Sequence, residues 1–78
     1  MNLRYRVELD PAEHEALASL VSGGKHPVRK LKRAQILLAA HAGLGDEAIV
    51  QALGTSGSTV YRTKRRFVEE SLEAALPH

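Results

Sequence analysis

Between Leu44 and Phe67 the chain reads LGDEAIVQALGTSGSTVYRTKRRF, and no other stretch restricts the fold as much. Two runs with helical spacing are separated only by Gly54, Thr55 and Ser56. In the first run Asp46 has the chemistry of an N-cap and Glu47 suits the positive helix end, while Ile49, Leu53 and either Ala52 or Val50 form an apolar stripe. Gly54 is expected to end this helix in the left-handed conformation, which a residue without Cβ adopts freely. Ser56 then caps a second helix, with Val60 and Phe67 toward one side and Arg62, Lys64, Arg65 and Arg66 mostly toward the others. A short helix, a glycine turn and a longer basic helix make a helix-turn-helix, a motif that lays its second helix in the major groove of DNA.

Successive side chains turn by about 100° around a helix. With Val60 set inward, Lys64 and Phe67 fall within about 40° of it and Thr63 within about 60°. Ser58, Arg62 and Arg65 point the opposite way, flanked by Thr59 and Arg66 on one side and Tyr61 on the other. Ser56, Ser58, Thr59 and Arg62 occupy the N-terminal half, where recognition helices touch base edges. Arg62 has the fork that pairs with guanine, whereas Arg65 and Arg66 suit phosphates. For Tyr61 two readings stand side by side: a hydroxyl offered to phosphate, or a ring partly buried in the core.

The net charge of +2 understates the electrostatics. Nine of the eleven Lys and Arg residues fall in two windows free of acids: Lys25, Arg29, Lys30, Lys32 and Arg33, then Arg62, Lys64, Arg65 and Arg66. The acids gather at Glu8–Glu15, Asp46–Glu47 and Glu69–Glu73. Such segregation favours a polyanion on one side, and double-stranded DNA is the natural partner. The plainer alternative is that these charges only keep two helices soluble. From Val68 onward the acids are expected to lie away from DNA.

The remaining segments read as support. Leu3, Tyr5, Val7 and Leu9 alternate with Arg4, Arg6 and Glu8, so residues 3–9 should be extended with one apolar face. That segment is expected to strap the core or pair with its copy in a homodimer; a minor-groove arm carrying Arg4 and Arg6 is the third option. Asp10, Pro11 and Glu13 announce a helix over 11–22. A further helix over 28–42 has a basic beginning and an end that is apolar nearly all round, so it should be central, packed on both the first helix and the motif. His14 reads as solvated, and His41 as a favourable charge at a helix C-terminus. The recognition helix spans 57–70, and 71–76 forms a final turn or extension.

The run GKHPVRKLKRAQILLAAHAGLGDEAIVQALGTSGSTVYRTKRRFVEESLEAAL resembles the N-terminal DNA-binding region of bacterial insertion-sequence transposases of the mariner-related six-thirty family. The GKHP turn, RAQILL, DEAIVQALG, STVYR, RRFVEE and LEAAL carry the resemblance, over roughly residues 4 to 76. It implies an all-α, homeodomain-like bundle of about four helices with a short extended N-terminal segment, binding element ends. Several positions depart from the family pattern. Val50 replaces a small residue, Thr55 an aliphatic one, Gly57 an arginine and Ser71 a glycine. Gly57 in particular is expected to remove one DNA contact and weaken the first helical turn.

Other classes of function find little support. The family's catalytic domain, with three carboxylates holding two metal ions, has no counterpart among these 78 residues. No cysteine, Gly-rich phosphate loop or metal-ligand spacing is present, so neither catalysis, cofactor nor metal is expected. No stretch approaches the roughly 20 apolar residues of a membrane span, and the N-terminus lacks a signal-peptide core, which points to the cytoplasm and the nucleoid. A stand-alone dimeric transcriptional regulator and a protein-interaction module are the alternatives to a transposase-type DNA reader.

Overall fold

The computed structural model describes residues 5–23 and 25–76. They form five helices: α1 (Pro11–Ser22), α2 (Val28–His41), α3 (Asp46–Leu53), α4 (Gly57–Glu69) and α5 (Leu72–Ala75). The all-α bundle expected from the sequence is what is found, and no strand occurs among the described residues. Leu3 and Arg4 lie outside the described residues; from Tyr5 to Asp10 the chain is extended without a strand partner. Val7 and Leu9 are buried, so the alternating pattern marks a strap laid across the helices. The exposed positions between them, Arg6 and Glu8, pair with each other at 3.5 Å.

Local chemistry explains the helix ends. Asp10 and Glu13 form a reciprocal capping box: the Glu13 N–H donates to Asp10 Oδ1 at 2.7 Å, and the Asp10 N–H to Glu13 Oε1 at 3.0 Å. Ser56 accepts the Thr59 N–H at 3.2 Å to open α4. Gly54 closes α3 at φ 64°, ψ 38°, and the Thr55 N–H reaches back to the Val50 carbonyl at 3.3 Å. One cap differs from the sequence reading. Gly45, extended at φ −74° and ψ 163°, precedes α3, and Asp46 is already helical and makes no capping bond. Its carboxylate instead takes the Lys64 ammonium of α4 at 2.6 Å, a partner that no local rule anticipates.

Two clusters make the core, and α2 serves both. On one face Ala34 and Leu37 pack with Val7 and Leu9 of the strap, Leu17 of α1 and Ala75 of α5. On the other, Ile36 packs with Ile49 of α3 and Val60 of α4, which sets the helix-turn-helix onto the support. The central position expected for the second helix is thus realised. Phe67 departs from expectation: it packs with the α1 cluster, whereas Val60 packs with Ile36, so α4 is anchored at two separate points. His41 differs too. Its Nδ1 accepts the Leu9 N–H at 3.1 Å and so ties down the strap.

Ser71 and Gly57 lie at the two ends of α4. Ser71 is extended at φ −165° and caps α5, its Oγ accepting the Ala74 N–H at 3.3 Å. Gly57 sits in the first turn of α4, and a Cβ built there meets nothing within 4 Å. Gly57→Ala should therefore stabilise the fold by about 0.5–1 kcal/mol through helix propensity and a less free unfolded chain. Thermal melts should show this as a rise of roughly 4–8 °C per kcal/mol. A fall in melting temperature would mean that α4 does not begin at this residue.

Candidate nucleic-acid interface

The outward face of α4 is a stripe in which Ser58, Arg62, Arg65 and Glu69 follow one another at helical spacing. All four are exposed, whereas Val60 and Thr63 behind them are fully buried. Lys64, the one basic residue on the inner side, is only 14% exposed along its side chain and is committed to Asp46. The helical wheel therefore separates these cations correctly into inward and outward sets. Thr63 satisfies its buried hydroxyl by donating to the Thr59 carbonyl at 2.7 Å.

The other sequence-selected positions distribute unevenly. Ser56, Arg66, Lys25 and Arg29 are exposed, and Lys30, Arg33 and Thr59 are half-buried. Ser56 and Thr59 turn their hydroxyls toward each other at 3.0 Å, which ties them to the capping of α4. Lys32 leaves its basic window. Its ammonium donates to the Leu53 carbonyl at 2.5 Å, capping the negative end of α3 across 21 residues of sequence. Tyr61 resolves as a ring 39% exposed, lying edge-on to Tyr5 with centroids 5.6 Å apart.

The two basic windows meet in space. The Arg33 guanidinium is held below its ordinary pKa by partial burial and by the positive charges of Arg29, Arg66 and Arg62. Two helices thus contribute to one ridge of four guanidiniums, and none of the four forms an ion pair among the described residues. The start of α2 sharpens this concentration. Pro27 provides no side-chain cap, and no acid occupies the first turn, so Arg29 and Lys30 stand at the positive end of a helix dipole. Such like-charge crowding destabilises the free protein and is relieved by a bound polyanion.

Acids border this surface, contrary to the expectation that residues after Val68 stay clear of it. Glu69 and Glu70 line the same shallow groove as Arg62, Arg65 and Arg66. Glu69 takes the Arg65 Nε–H on Oε1 at 3.1 Å and the Tyr5 hydroxyl on Oε2 at 2.7 Å. The i, i+4 spacing of Arg65 and Glu69 was a readable signal for the first bond. The second spans 64 residues of sequence and leaves no local trace.

This junction shifts all three groups. Glu69 is held below the usual carboxylate range, first by the Tyr5 hydrogen bond and then by Arg65. Arg65 is raised by Glu69. The Tyr5 phenol is pushed up from 10.0 to about 12, chiefly by its bond to Glu69, with burial and Tyr61 adding to it. The raised phenol contributes stability that is complete below its ordinary value and lost as pH climbs through 12. The depressed carboxyl contributes above the ordinary carboxylate range and stops doing so as pH falls through its folded value. In a Tyr61→Phe background only Tyr5 remains to titrate, and near-ultraviolet absorbance should place its ionisation above the ordinary 10.0 but below the about 12 reached with Tyr61 present. Adding Glu69→Ala should return it toward 10; an ordinary value with Glu69 present would show that the bond does not form.

A glycine-closed short helix followed at once by a basic helix, both seated on a third helix, defines the helix-turn-helix class. The homeodomain-like domain family matches residues 27–76, from the turn before α2 to the end of α5, and the chain belongs to that family. It is a DNA-binding module of that class. The strap and α1 precede the matched region. No curated protein and no solved structure matches the chain. No helix among the described residues is long and apolar enough to cross a membrane, and none of their His, Asp and Glu side chains cluster as a metal site.

Proposed function

We propose that the chain reads double-stranded DNA sequence-specifically as a transposase-type recognition module, with α4 in the major groove. The observation that carries this reading is the exposed outward face of α4 with Ser58, Arg62, Arg65 and Arg66, packed on α2 so that the charges of Arg62 and Arg66 bear on Arg33 together with that of Arg29. Ser58 and Arg62, exposed in the N-terminal half of α4, face base edges, Arg62 pairing with a guanine. Arg29, Arg33 and Arg66 neutralise phosphates on either side of the groove, with Lys25 and Lys30 extending that track. Ser56 and Thr59 contribute through the positive end of α4, whose N–H groups suit a phosphate. Tyr61 rests on Tyr5 and offers its exposed edge to the backbone. The RAQILL, STVYR and RRFVEE runs support the transposase affinity of the module.

Selection of bound duplexes from a random pool, followed by titration against salt, tests this. The expected outcome is one asymmetric site of a few base pairs, bound with a log–log salt slope of about −0.9 for each phosphate contacted. A palindromic site bound by two copies would point to a dimeric regulator. A slope near zero would remove DNA recognition altogether.

A further inference from the structure

We propose that Glu69 is a positioning residue that makes Arg65 a base reader, and that the N-terminal strap sets Glu69 through Tyr5. This rests on the DNA-recognition reading and goes beyond it, because the sequence alone assigns Arg65 to phosphates and the acids to a distant surface. Three observations support it. Arg65 continues the outward stripe of Ser58 and Arg62, with its side chain 55% exposed. Its Nε–H is committed to Glu69 Oε1 at 3.1 Å, which orients the guanidinium plane and leaves the two terminal nitrogens as a parallel pair of donors. Glu69 is itself fixed, since Oε2 receives the Tyr5 hydroxyl at 2.7 Å and Tyr5 is braced edge-on against Tyr61.

A guanidinium tethered at Nε presents its two-donor edge in one direction. That edge matches the N7 and O6 acceptors of guanine, and fixing it beforehand lowers the ordering cost of the contact. A carboxylate beside a polyanion works against affinity in general. Its place next to the DNA-facing stripe is intelligible if it exchanges sequence-independent binding for direction. The strap holding that carboxylate lies before residues 27–76, so this device is added to the family's matched core.

The test uses the full chain and two variants, Glu69→Ala and Tyr5→Phe, with circular dichroism confirming that each is folded. Nitrogen-15 spectra of the free proteins report the Arg65 Nε–H, whose solvent exchange should be slow in the parent and faster in both variants. Anisotropy titrations then compare the selected duplex with a scrambled one of equal length. Glu69→Ala should lower the specificity ratio about tenfold, a single bidentate contact's worth, while affinity for the scrambled duplex rises. Tyr5→Phe, which keeps the ring and removes only the hydroxyl, should lower the ratio about fivefold, at the lower end of the same range. Faster Nε–H exchange with an unchanged ratio, or an equal change on both duplexes, would overturn the role of Glu69 and assign Arg65 to phosphate. A parent protein with no duplex preference would instead remove the DNA-recognition reading, and this role with it.

Discussion

Ile36→Ala should unfold a large part of the population at physiological temperature. Ile36 is wholly buried and is the contribution of α2 to the cluster that also contains Ile49 and Val60. With so few fully buried side chains holding α3 and α4 to the support, little neighbouring structure is available to collapse into the space left. Truncating a buried isoleucine to alanine costs about 2–5 kcal/mol, with the upper values where relaxation is poor. Domains of this size have a total stability of roughly 4–12 kcal/mol at ~0.05–0.15 kcal/mol per residue, and a small core favours the lower end. Helical circular dichroism should therefore show the melting temperature falling by about 10–30 °C. Val28→Ala, on the same helix but at a position 74% exposed, should stay within about 0.5 kcal/mol of the parent. Equal effects at the two positions would mean that α2 is rotated from the orientation described.

Removing Arg33, Arg62 and Arg66 together should abolish tight duplex binding while leaving the fold at least as stable. Each phosphate neutralised adds about 0.9 to the salt slope, hence about 0.9 log units of affinity at 0.1 M salt. Losing the two phosphate contacts of Arg33 and Arg66 lowers affinity by about two orders of magnitude and flattens the slope by about 1.8, and losing the Arg62 guanine pair removes roughly a further one to two orders on the selected site. Stability should move the other way, because the charges of Arg62 and Arg66 bear unfavourably on partly buried Arg33. Opposite signs for binding and folding separate an interface from a scaffold. Calorimetry beside filter binding measures both, and a triple variant that loses stability in step with affinity would identify the ridge as structural. Arg62→Ala alone should weaken preference at one base position, whereas Arg66→Ala should weaken all duplexes alike.

The positions that local chemistry governs were legible in the chain. The Asp10–Glu13 box, the left-handed Gly54 and the Ser56 cap each depend on residues within a few positions of one another. The inner and outer faces of α4 follow from helical repeat alone, which is why Val60 and Thr63 are buried and Ser58 and Arg62 exposed. Charge segregation marked both basic windows, though it could not reveal that they converge. Where local signals misled, a distant partner was the reason. Asp46 left its capping role for Lys64, Lys32 left its cluster for the end of α3, and His41 became an acceptor for the strap.

By itself, then, the sequence determined the helices, their punctuation, and which side of α4 carries its guanidiniums, since those depend on hydrogen bonds and steric preferences acting within a turn or two of chain. Only the tertiary structure decided that Arg33 joins Arg62 and Arg66, that Phe67 and Val60 serve different clusters, and that Tyr5 reaches Glu69. Those juxtapositions depend on how the helices and the strap pack together. That packing comes from burial of apolar surface, which has no direction of its own, so a short window of sequence does not record which polar groups it brings into contact.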